Sequence, residues 1–184
     1  EAYYEDFADN GAEKLARVLA EGFLFQGETM PHLGHARGEP SAHLPPTAFV
    51  LFLQNHDQVG NRAFGERLPA LSRPAALKAA TALLLLSPQI PLLFMGEEWA
   101  ATAPFLFFTA FPQQDLADAV REGRRKEFAK FAAFQDPEKR ERIPDPNAEK
   151  TFTDSIPDPA ESEHGFHAEM LALHKALIAL RHAE

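Results

Sequence analysis

The chain has 184 residues, with 27 Asp and Glu against 18 Lys and Arg and a formal net charge of −9. That is enough for one domain with a real core, and the charge argues against nucleic acid or an anionic membrane as partner, since both select clustered Lys and Arg. With no cysteine, disulfide frameworks, thiolate zinc sites and cysteine nucleophiles are excluded, which fits the cytoplasm.

In chain order, Asn10 to Glu13 has the spacing of a capping box, and Leu15, Val18 and Leu19 follow at helical period. Gly22 is the stop, so a helix is expected over 10–21. Met30 to Pro46 carries Pro31, Gly34, Gly38, Pro40, Pro45 and Pro46 and reads as irregular surface loop. Phe49 to Leu53 is apolar without alternation, as in a strand buried on both faces of a parallel sheet. Pro74 to Leu86 is Ala- and Leu-rich and predicts a helix ended by Ser87-Pro88. Pro91 to Met95 predicts a second buried strand, stopped by Gly96. The apolar stretch Ala75 to Phe94 is interrupted by Lys78, Ser87, Pro88, Gln89 and Pro91, so it is no bilayer span, which needs about 20 mostly apolar residues.

Asp115 to Phe134 predicts a long helix, with Phe128, Phe131 and Phe134 on its core face. The basic run Arg121 to Lys130, broken by Glu122 and Glu127, reads as its solvated face. Gln135 to Glu163 is rich in Pro and charge, without periodicity, and is expected to be loop. Met170, Leu173, Leu177 and Leu180 mark a final amphipathic helix over 167–182. Helices alternating with apolar strands imply parallel strands joined by crossovers, hence an α/β, helix-rich fold. Two strands alone leave open edges, and the chain begins at Glu1 inside an ordered pattern, so it is expected to be a piece of a longer polypeptide.

The chemistry concentrates after the first strand. Asn55, His56, Asp57, Gln58, Asn61 and Arg62 offer donors and acceptors at a strand's carboxyl end, where α/β barrels build their sites. Vicinal sugar hydroxyls want a carboxylate acceptor beside an imidazole or amide donor, which His56 and Asp57 supply. They are expected side by side, facing a concave sugar site. Gly60 would make the turn that returns Asn61 and Arg62 to it. The alternative is a polar loop whose side chains cap backbone groups. Glu97 and Glu98 are adjacent and would point apart on an extended chain; one of them would orient a group that touches substrate. Trp99, Phe105, Phe107 and Phe108 would stack on sugar rings or form a hydrophobic layer under a loop. His32, His35 and His43 have a metal-like spacing but only Glu28 and Glu39 at hand and no scaffold, so no metal site is expected. His164, His167, His174 and His182 read as surface or helix-end residues.

Asn55-His56-Asp57 at the end of an apolar strand resembles the fourth signature region of glycoside hydrolase family 13, the α-amylase family. EAYYEDF near the start, LLFMGEEWAATAPFLFFTAF from Leu92 and VREGRRKEF from Val120 carry the same resemblance in consistent order, from Tyr3 to about Phe152. Gln58 and the following FGERL resemble the trehalose-releasing members; glucan branching enzymes typically have Glu at position 58. The pattern departs at IPDPAESEHG, Ile156 to Gly165, where a lysine and a tryptophan are expected.

The resemblance implies part of a (β/α)8 TIM barrel, about helix 6 to helix 8 with strands 7 and 8. Residues 1–184 would then be a C-terminal fragment of the catalytic domain, without its upstream catalytic half and without a C-terminal β-domain. Asp57 would be the transition-state stabiliser. His56, Gln58, Asn61, Arg62 and Asn55 would bind substrate, with Glu97 and Trp99 supporting them. The nucleophile and acid/base carboxylates would lie upstream. The substrate would be a maltooligosyl trehalose or related α-glucan, with no cofactor. The alternatives are a branching enzyme or other family member, and a non-catalytic carbohydrate-binding or assembly piece.

Overall fold

The computed structural model describes residues 2–131 and 135–183, leaving aside the side chains of residues 2–4 and 139. Phe134 lies outside these; the helix expected to reach it ends at Phe128, and Phe131, expected in the core, is 37% exposed. The chain divides into two compact units, Glu1–Leu51 with Ser87–Leu92, and Phe52–Leu86 with Leu93–Glu184.

The first unit opens with a 3-10 turn, Ala2–Phe7, and helix α1, Gly11–Glu21. The expected capping box is not formed. Asn10 is left-handed, at φ 49°, and its side chain makes no cap bond, because that bond requires an extended cap residue. Gly22 does stop the helix. It sits at φ 96°, donates to the Val18 carbonyl at 2.8 Å, and a Cβ there would fall 2.2 Å from the Phe49 ring. Only glycine fits both demands.

The segment expected to be irregular contains a two-residue antiparallel hairpin, β1 Thr29–Met30 and β2 His35–Ala36. Gly34, at φ 70°, turns it, and Met30 is buried. The Pro/Gly content that argued for loop is here the content of a tight turn. A 3-10 turn, Pro46–Ala48, leads into β3, Val50–Leu51, which pairs in parallel with β4, Ile90–Pro91. Both strands are shorter than the apolar runs that predicted them. Val50 is 55% and Ile90 46% exposed, not buried on both faces, because among the described residues this sheet has two strands.

In the second unit the chain passes through α2, His56–Gly60, and α3, Leu68–Leu71, into α4, Pro74–Leu86. After β4 come a 3-10 turn, Glu97–Trp99, and then α5, Gln114–Phe128. The stretch 135–163 is not plain loop: it holds α6, Pro137–Glu141, α7, Glu149–Thr153, and a 3-10 turn, Pro159–Glu163. Asp136 and Asp158 cap the first and last of these, each followed by a proline at the first helical position. Five-residue helices are too short for a 3.6-residue period to register. Helix α8, Gly165–Ala183, closes the chain.

Helix α4 packs along α8. Leu77, Ala100 and Met170 form the centre, with Leu68, Phe166 and Leu173 around it. Arg181 donates to the Leu85 carbonyl at 3.0 Å, and Lys78 pairs with Glu169 at 2.7 Å. His174, expected at the surface, is buried here, with Nδ1 2.9 Å from the Met170 carbonyl; a spacing of four residues puts it on Met170's face. A second cluster joins Ala63, Phe128 and Ile143. Among the described residues no helix is long and apolar enough to cross a membrane.

Met170 fills the α4–α8 centre, so Met170→Ala should lower the unfolding free energy by about 2–5 kcal/mol. Urea titration followed by circular dichroism measures it, and a loss below about 1 kcal/mol would contradict this packing.

Candidate active site

Four residues beyond β3 in the chain, Asn55 adopts an extended conformation and its side-chain oxygen accepts the Gln58 N–H at 3.0 Å. Asn55 is therefore the N-cap of α2, as the backbone-capping alternative anticipates for this residue. His56 and Asp57 occupy the first turn, with Nε2 and Oδ1 3.3 Å apart and side chains 70% and 74% exposed. Gln58 is half-buried and Asn61 exposed. The Asn61 N–H donates to the Asp57 carbonyl at 3.1 Å. Arg62 is engaged with Glu66 at 3.1 Å, so its guanidinium is already paired. The structure thus brings His56 and Asp57 together as an accessible donor–acceptor pair on an exposed helical turn.

The turn expected at Gly60 is not formed there. Gly60 is helical and buried, and a Cβ there would lie 3.5 Å from the Phe105 ring, in ordinary contact. The reversal falls at Gly65, at φ 59°, where a Cβ would lie 2.4 Å from the Phe105 carbonyl oxygen. The Phe105 N–H donates back to the Gly65 carbonyl at 2.9 Å. Behind α2 stands Arg124, whose Nη2 donates to the carbonyls of Gly60 at 2.7 Å and Arg62 at 2.9 Å. The basic run expected to be a solvated face therefore has a buried member, because Ala117, Arg124 and Phe128 share the inward face of α5.

A second buried polar group lies under residues 93–103. Arg67 donates from Nε to the Ala103 carbonyl and from Nη1 to the Met95 carbonyl, both at 2.7 Å, with its guanidinium 4.8 Å from the Phe94 ring centre. Buried Gln54 accepts the Leu68 N–H at 3.1 Å. Glu97 is 4% exposed, and its Oε2 accepts the Phe94 N–H at 3.2 Å. Burial pushes the Glu97 carboxyl up to about 7; the Phe94 N–H and the Gln54 side chain oppose this, Glu98 adds to it and Arg67 opposes it. Glu98 is half-buried. The Trp99 carbonyl lies 2.9 Å from His167 Nδ1.

Phe94, Phe105, Phe108 and Phe152 form an edge-to-face row with centroids 5.1, 5.7 and 5.2 Å apart. Phe105 and Phe108 thus belong to a hydrophobic layer, and Phe107 lies against Arg124. A cavity of about 350 Å³ is lined by Phe64, Glu66, Arg67, Thr102, Phe166 and His167 among others, and by neither His56 nor Asp57. Among the described residues no group of three or more His, Asp or Glu is placed to hold a metal ion.

Sequence reasoning missed Gln54, Arg67 and Arg124. For Arg124 a signal existed, its spacing of seven from Ala117 and four from Phe128. For Gln54 and Arg67 the partners are backbone carbonyls and N–H groups distant in sequence, which no local pattern encodes.

No family model matches the chain. Over 183 residues, 98% of its length, it is 43% identical to the malto-oligosyltrehalose trehalohydrolase of Deinococcus radiodurans, and it covers 30% of that protein. It is 43% identical over 181 residues to that of Rhizobium sp. and 34% identical over 181 residues to that of Saccharolobus solfataricus, covering 29% of each. All of the chain superimposes on 30% of an alpha amylase from Salmonella typhimurium, solved at 1.4 Å, with a TM-score of 0.91 and 51% identity. The chain is thus similar, over part of their length, to enzymes named for α-amylase and trehalohydrolase activity. Its similarity in sequence is to the malto-oligosyltrehalose trehalohydrolases, of whose length it spans about 30%.

The Glu97 carboxyl, raised from 4.5 to about 7, is protonated more readily in the folded chain than in the unfolded one. Its contribution is fully present below pH 4.5 and is lost as pH rises through 7, a change on the order of 3 kcal/mol. Glu97→Gln should flatten this slope and make the chain more stable than the parent at pH 8. Urea midpoints at pH 5 and pH 8 measure it; parallel pH dependence in parent and variant would show that Glu97 is not the titrating group.

Proposed function

We propose that this chain is one part of the (β/α)8 catalytic domain of a malto-oligosyltrehalose trehalohydrolase. The whole enzyme cleaves the α-1,4-glucosidic bond next to the terminal trehalose of maltooligosyl trehalose and releases trehalose. In this reading β3 and β4 are the seventh and eighth staves of the barrel, α1 is its sixth helix, and α8 closes it before a C-terminal β-domain. The parallel pairing of β3 with β4 supports this, as does the exposure of Val50, Phe52, Ile90, Leu92 and Met95, apolar positions that further barrel staves would cover.

The observation that carries the functional reading is the His56–Asp57 pair, 3.3 Å apart and accessible on a turn fixed from both ends. The Asp57 carboxylate accepts hydrogen bonds from hydroxyls of the sugar being cleaved, and His56 donates to the same ring. Those bonds strengthen as the ring flattens toward an oxocarbenium ion, so they act on the barrier more than on binding. A retaining hydrolase also needs a nucleophile and an acid/base carboxylate about 5 Å apart. We assign both, and the facing walls of the sugar site, to the part of the relatives' length that this chain does not span. Gln58 and Asn61 border the same site, and Arg62 does so through its pair with Glu66. No organic cofactor enters this chemistry.

In the full-length enzyme, Asp57→Asn should lower kcat for trehalose release by about three or more orders of magnitude with a much smaller change in KM; near-normal kcat would exclude the transition-state role. The purified 184-residue chain should show no turnover of maltooligosyl trehalose, and robust release of trehalose by it would overturn the assignment of the carboxylates. Appearance of new α-1,6 branches in place of free trehalose would point to a branching enzyme instead.

A further inference from the structure

Arg124 is 6% exposed on the inward face of α5, and its guanidinium lies between the rings of Phe107 and Phe128, 4.8 and 4.7 Å from their centres. Its contact with the Glu127 carboxylate, at 3.6 Å, is longer than its bonds to the Gly60 and Arg62 carbonyls. Those carbonyls lie at the C-terminal end of α2. A five-residue helix has almost no stability of its own, and its last carbonyls have no partner inside it. Asn55 holds the front of the helix and Arg124 the rear. Between them the Asn61 N–H closes on the Asp57 carbonyl.

We infer that Arg124 is a positioning residue for the reaction, holding the turn that presents His56 and Asp57 without touching substrate itself. The inference rests on the role of Asp57 proposed above. The chain of contacts is continuous: guanidinium to the Gly60 and Arg62 carbonyls, the helix end to the Asn61 N–H, that N–H to the Asp57 carbonyl. Losing the fork lets the end of α2 fray and moves the carboxylate relative to the sugar. A misplacement of about 1 Å at a reacting centre can cost about 100-fold in rate.

The test uses the full-length enzyme with maltooligosyl trehalose. Arg124→Met keeps the bulk between the two rings and removes the donors; it should lower kcat per folded enzyme by about 10–100-fold with KM within about 3-fold. Arg124→Lys, which reaches one carbonyl, should recover at least about 3-fold of that loss. In an Asp57→Asn background, Arg124→Met should lower the residual rate by less than about 3-fold, because its effect runs through Asp57. A general loss of stability would instead appear in full in that background, and this result would overturn the inference. So would parental kcat in both single variants beside a crippled Asp57→Asn. If Arg124→Met does not fold, Arg124→Lys decides alone, with kcat about 3–30-fold down and KM unchanged in support, and parental kcat against. Near-normal kcat in Asp57→Asn itself refutes the reading of Asp57 and takes this inference with it.

Discussion

Two buried guanidinium groups hold backbone carbonyls that no helix or sheet satisfies. Arg67 binds those of Met95 and Ala103, and Arg124 those of Gly60 and Arg62. Each also lies against aromatic rings. The segments they hold, around 54–66 and 93–109, are mostly irregular, and irregular backbone beneath a packed surface must find donors and acceptors somewhere. Arginine suits the task because its planar fork offers several fixed donors and its faces tolerate aromatic neighbours. A carboxylate partner is not needed when carbonyl oxygens supply the acceptors.

This arrangement separates backbone support from side-chain exposure. The backbone from Asn55 to Gly65 is held by the Asn55 cap, by Arg124 and by the Phe105 backbone. The His56 and Asp57 side chains stay exposed. Sites supported in this way by packed elements hold their geometry better than sites on free loops. Glu97 plays a different part: it is buried and accepts the Phe94 N–H in the turn after β4, with its carboxyl pushed up toward neutrality by burial.

Much of the helical content was legible. Helix α4 has the bounds expected from Pro74 and Ser87-Pro88, because propensity, composition and punctuation agree there. Helices α1 and α8 also followed from apolar periodicity and differ only at their ends. The errors share one cause. The hairpin at Met30, the short helices between 137 and 163 and the two-residue strands are too short for any period to show, and their signals are single residues such as Asp-Pro or a left-handed glycine. The burial of His174 and Arg124 was missed because a polar type was read before its helical face. The pairing of His56 with Asp57 was expected; the concave surface they were expected to face is not supplied by the cavity that Arg67 and His167 line.

The sequence by itself determined which residues form the long helices, that the polar cluster at 55–62 follows an apolar strand, and the kinship with the α-amylase type hydrolases. These are local or cumulative properties, readable from periodicity, punctuation and residue order. Only the tertiary structure decided that Asn55 caps α2, that Gly60 is helical while the left-handed turn falls at Gly65, and that Arg67 and Arg124 lie inside. Each of these depends on a partner distant in the chain, and a hydrogen bond to a backbone carbonyl leaves no mark on the identity of the residue that owns it.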